Sequence, residues 1–121
     1  MTKKLFLIAA LALTIVSFGT PAFASQSLGC FIDTPAFDPT TIGQCTQIGS
    51  SSTTAVFDIV SLSHHSGYTI SWSVSGCSGL VCFVPISPGQ SKTVAVRVTN
   101  NSTGVTDSAV ATATYYFEPG F

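Results

Sequence analysis

"YTISWSVSGCSGLVC", residues 68–82, is the stretch that decides the fold class. Tyr68, Ile70, Trp72 and Val74 share one parity, and Thr69, Ser71, Ser73 and Ser75 share the other. Successive side chains leave opposite faces of a strand. The spacing therefore predicts a strand with four large apolar groups on the core and four hydroxyls in water. The Trp72 indole N–H then needs a partner between the sheets. Gly76 and its neighbours read as a turn, with Cys77 and Cys82 bracketing it.

The same alternation returns at residues 92–99, with Val94, Val96 and Val98 inward and Thr93, Ala95, Arg97 and Thr99 outward. Residues 55–62, "AVFDIVSL", are rich in β-branched and aromatic types and read as another strand. Shorter strands are expected over residues 28–32 and 82–86, where Pro85 demands an edge or a strand end. A long last strand covers residues 109–117. Residues 33–45 hold Pro35 and Pro39 and read as an irregular segment closed by Cys45. "GSSSTT", "SHHSG", "SPGQ" and "NNSTG" are turn clusters. No helical periodicity follows residue 24. The pattern predicts an all-β chain, an antiparallel β-sandwich of about seven short strands. An up-and-down barrel is the runner-up.

At the N-terminus, Lys3 and Lys4 precede an uncharged apolar run, residues 5–18, that is shorter than the roughly 20 residues of a membrane span. Gly19 and Pro21 break it, and Ala22-Phe23-Ala24 supplies small residues at a cleavage position. Residues 1–24 are therefore expected to be a cleaved signal peptide, leaving residues 25–121 as a single disulfide-stapled domain that is secreted, periplasmic or held at the cell surface. No second apolar run is long enough to span a bilayer. Beyond residue 24 only Lys92 and Arg97 are basic, against Asp33, Asp38, Asp58, Asp107 and Glu118, so no basic stripe exists to neutralise a phosphate backbone and no nucleic-acid partner is expected.

All four cysteines, Cys30, Cys45, Cys77 and Cys82, follow residue 24. An even count in a short exported chain reads as two disulfides, with three connectivities open. The local pairs Cys30–Cys45 and Cys77–Cys82 are the expectation, each stabilising by about 2–3 kcal/mol through closure of a modest loop.

"YTISWSVSG", followed by a turn and "PISPGQSKTVAVRVTNNSTGVTDSAVATATY", resembles the second half of bacterial immunoglobulin-like domains, and is similar to polycystic-kidney-disease-type and fibronectin-type-III-like modules of secreted bacterial proteins. The likeness covers roughly residues 68–116. It implies an immunoglobulin-like sandwich used for adhesion, spacing or ligand binding, and brings no catalytic set. One departure is expected: the antibody-type disulfide joins the sheets beside the Trp, whereas these cysteines fall at strand ends and turns.

Candidate chemistry is sparse. Cys77 and Cys82 have four residues between them and no helix start, which suits a structural disulfide and not a redox pair. His64 and His65 are adjacent in a turn with no neighbouring ligand, and no cofactor or metal is expected. Asp33, Asp38 and Asp107 lie in or beside loops without the dense acidic run of a calcium loop, and read as turn-stabilising groups. No Gly-x-Ser-x-Gly elbow is present, and both histidines sit in one turn, so no catalytic residue is assigned. Leu28-Gly29-Cys30 stands too far from the apolar run for a lipoprotein box. The expectation is a non-enzymatic binding or adhesion protein with a protein or glycan partner, acting as a monomer or as an assembly subunit. Phe31, Phe37, Phe83, Phe117 and Phe121 are its candidate contact aromatics. The alternative is a subunit of an extracellular, pilus-like fibre built by donor-strand exchange.

Overall fold

The computed structural model describes residues 26–35 and 38–118. The expected signal peptide, Phe37 and Phe121 lie outside these residues.

Eight strands follow one another with no helix among the described residues: β1 (Leu28–Ile32), β2 (Thr41–Ile42), β3 (Gln44–Gly49), β4 (Thr53–Ile59), β5 (Tyr68–Trp72), β6 (Val81–Ile86), β7 (Ser91–Asn100) and β8 (Thr106–Phe117). They form two four-stranded sheets, ordered β2-β1-β4-β6 (sheet I) and β3-β8-β7-β5 (sheet II). The chain is all-β and two-layered. It is not antiparallel throughout, because β3 runs parallel to β8 with Gln44 opposite Thr112 and Gly49 opposite Phe117. The segment expected to be irregular thus contains β2 and the first two residues of β3. Its sequence hides them because β3, "QCTQIG", puts only Cys45 fully inside.

The core lies between the sheets. Sheet I contributes Leu28, Cys30, Ile32, Ala55, Phe57, Ile59, Cys82, Val84 and Ile86; sheet II contributes Cys45, Val94, Val96, Val98, Ala111, Ala113 and Tyr115. Burial of each branched or aromatic side chain is worth about 1.5–3 kcal/mol. Tyr68, Ile70, Trp72 and Val74 pack against this core but are only partly buried. Sheet position explains the shortfall: β5 is the outermost strand of sheet II, and Val74 lies past its end. Trp72 does satisfy its indole, donating from Nε1 to the Gly79 carbonyl at 3.0 Å. Gly79 has φ of 75° in that turn, where a glycine is favoured.

Both disulfides join the local pairs. Cys77–Cys82 spans the turn before β6, with Cα atoms 5.1 Å apart. Cys30–Cys45 spans 5.7 Å between Cα atoms and connects β1 of sheet I to β3 of sheet II. The placement of this pair at strand ends and turns is corrected: Cys30 is mid-strand with no exposure, and the bond crosses between the layers. It does so on β1 and β3, on strands other than the β5 that carries Trp72.

Candidate functional site

Three surfaces arise from this packing. The first is the outer face of sheet II. Strand alternation sends Thr46 and Ile48 of β3, Ser108, Val110, Thr112, Thr114 and Tyr116 of β8, and Ser91, Thr93, Arg97 and Thr99 of β7 to one side. Thr69 and Ser71 of β5 extend the row, opposite Thr99 and Arg97. Hydroxyls pair across the strands: Ser91 with Thr114 at 3.0 Å, Thr93 with Thr112 at 2.9 Å, and Thr99 with Thr106 at 2.8 Å. Such pairs each stabilise a sheet by roughly 0.2–1 kcal/mol. Ile48 stands beside Tyr116, both more than half exposed. Within the four strands Arg97 is the charged group on this face.

The second surface is on the outer face of sheet I. Phe31, Val56 and Phe83 fall in one register row across β1, β4 and β6. Val56 points away from the core yet is only 8% exposed, flanked by the two rings, while Phe83 is 64% exposed. Phe117 is a separate feature: it ends β8, and its ring lies against Gly89 in the turn between β6 and β7. The contact aromatics expected from sequence are thus not gathered into one cluster among the described residues.

The third is a cleft of about 420 Å³ at one end of the sandwich, lined by Gln26, Tyr68, Val98, Asn100, Thr103, Val105 and Asp107. Sequence reading placed Tyr68 and Val98 in the core and Asp107 in a loop, so it did not foresee that the three meet. The signal is the register of β7 with β8, which the sequence does not print: Asp107 lies opposite Val98 and shares its inward face.

The remaining candidates have structural places. Asp38 accepts from the Thr34 N–H at 2.7 Å, the Thr34 hydroxyl at 2.9 Å and Gln47 Nε2 at 2.6 Å, tying the β1–β2 connection to β3. Asp33 offers its carbonyl to the Thr53 hydroxyl. His64 and His65 are exposed in the turn before β5, with the His64 ring centroid 6.4 Å from that of Tyr68. Among the described residues no three His, Cys, Asp or Glu side chains gather as a metal set, and no helix is long and apolar enough to cross a membrane. No protein-family model, curated protein or solved structure matches the chain.

Proposed function

We propose that this chain is an exported, non-enzymatic adhesion module of immunoglobulin-like type, which lays the outer face of sheet II on a neutral, hydroxyl-rich glycan. The carrying observation is the make-up of that face: four strands bearing rows of Ser and Thr hydroxyls, with exposed Ile48, Val110 and Tyr116 among them and Arg97 as the charged side chain. The cores of protein interfaces are depleted in serine and enriched in aromatics. A sheet face dominated by hydroxyls suits an uncharged partner that exchanges hydrogen bonds and offers a sugar ring to Tyr116.

The immunoglobulin-like assignment draws support from strand order. β4, β5, β6, β7 and β8 occupy the places of strands B, C, E, F and G, and β1 and β3 act as two halves of a divided first strand, one in each sheet. Export draws support from the two disulfides, which are the chemistry of an oxidising compartment. Donor-strand exchange leaves one sheet position open for a neighbour's strand. Here β8 fills the place between β3 and β7 from the chain's own sequence, so the fibre alternative would have to use faces or edges.

The test is co-sedimentation with insoluble cellulose and chitin over a range of salt. Retention on either that is insensitive to salt, as contacts between uncharged groups must be, and that falls in Tyr116→Ala and in Thr93→Val/Thr112→Val supports the reading. Absence of retention, or retention that salt strips away, overturns it.

A further inference from the structure

We infer that the end cleft is a binding site for a small organic ammonium ion, a function separate from the sheet II face. The argument begins with Asp107. It stands opposite Val98, which is 2% exposed, so its side chain points between the sheets. The residue is partly exposed and lines the cleft, so a ligand can reach its carboxyl group. Among the described residues of β7 and β8 no basic side chain stands beside it. Arg97 leaves β7 on the opposite face, beside Ser108. Lys92 is six positions back along β7, roughly 20 Å at the rise of a strand.

What the cleft provides around that carboxyl group defines its occupant. Tyr68 lies across β7 from Asp107, paired with Asn100, and lines the cleft. Val98 and Val105 give apolar walls, and Asn100, Thr103 and Gln26 ring the mouth. Asn100 is held in place, since its Oδ1 accepts from the Ser102 and Thr103 N–H groups at 2.9 and 3.4 Å. Gln26 is likewise fixed, accepting from the Ser61 hydroxyl at 2.7 Å. A lining that combines one carboxylate, one aromatic ring and aliphatic side chains fits a cation that carries its own alkyl surface. Calcium is a poor fit, because it takes six to eight oxygens and Asp107 is the sole carboxylate in the lining.

The experiment is a titration of the isotope-labelled, disulfide-intact chain, followed through its backbone amide resonances. Choline and Nα-acetyl-lysine methylamide are the cationic probes, and 3,3-dimethylbutanol is the neutral isostere of choline. The expected result is saturable shifts at Tyr68, Val98, Asn100, Val105 and Asp107 with at least one cationic probe. The isostere should bind tenfold more weakly or worse, and Asp107→Asn should produce the same loss while leaving the dispersed spectrum of a folded sandwich. Tighter choline binding assigns a free or headgroup ammonium, and tighter binding of the lysine derivative assigns a protein side chain; both support the site. Equal affinity for the isostere, unchanged affinity in Asp107→Asn, or no saturation of either cationic probe up to about 0.1 M overturns it. None of these outcomes involves the sheet II face, so the glycan reading stands or falls separately.

Discussion

Tyr115 and Gly49 show how much of the sandwich rests on single contacts. Tyr115 is 3% exposed, and its hydroxyl donates to the Ser51 carbonyl at 2.8 Å. The ring reaches that carbonyl by lying over Gly49, where a Cβ would come within 2.8 Å of two ring carbons. The glycine is needed for close approach and not for an unusual backbone angle. Gly49→Ala should therefore destabilise by about 1–3 kcal/mol, the usual cost of overpacking. Tyr115→Phe keeps the ring and loses one hydrogen bond, for about 1 kcal/mol. Urea unfolding with an unchanged slope would check both, and a neutral Gly49→Ala would refute the packing argument. Nothing in "QIGSS" announces this contact. Its partners are separated by 66 positions in the chain, and the sequence reads there as a flexible turn.

Alternation tells which face of a strand a residue occupies, and sheet position then decides how deep it goes. β5 and β7 carry the same pattern, yet Val94, Val96 and Val98 are buried and Tyr68, Ile70 and Trp72 are only partly buried. β7 lies between β8 and β5, whereas β5 has a neighbour on one side only. The all-β, two-layer architecture was legible because the apolar parities of residues 68–74 and 92–99 require an apolar partner layer. β3 was not legible, since it is fixed by its ladder with β8 and by Cys45 and not by any apolar rhythm. The end cleft was hidden for a related reason: it depends on which residues of β5, β7 and β8 stand side by side. Two predictions belong to this scale. Replacing Cys30 and Cys45 together by serine should cost about 3 kcal/mol, and replacing Cys77 and Cys82 about 2 kcal/mol, because the first closes a loop of 15 positions and the second one of 5. Equal losses in thermal unfolding would show that loop length does not set the two contributions. Within sheet I, Phe57→Ala should cost about 3–5 kcal/mol as a fully buried ring. Phe83→Ala, on the solvent side of the next strand, should cost under about 1 kcal/mol. A loss at Phe83 as large as at Phe57 would mean that something covers the outer face of sheet I in solution.

For the molecule as a whole, the distribution of strand lengths bears on whether it assembles. The longest strands, β7 with 10 residues and β8 with 12, are interior to sheet II. The edges are short: β2 has 2 residues, β5 has 5, and β3 and β6 have 6 each. In β6 the edge is further blunted by Pro85, which has no N–H to offer a neighbour. Short edges and an edge proline are the means by which sheet proteins avoid pairing with copies of themselves. The exposed apolar groups are divided between the sheets, with Phe83 on the outer face of sheet I and Ile48, Val110 and Tyr116 on that of sheet II. The oxidised chain is thus expected to be a monomer by light scattering across the concentrations at which binding is measured. A concentration-dependent ladder of oligomers would contradict the edge argument and shift the weight to an assembly subunit. In that event Pro85→Val, which restores an N–H to β6, separates two routes. Growth through the β6 edge would strengthen in that variant, while stacking through the sheet II face would respond to Tyr116→Ala instead.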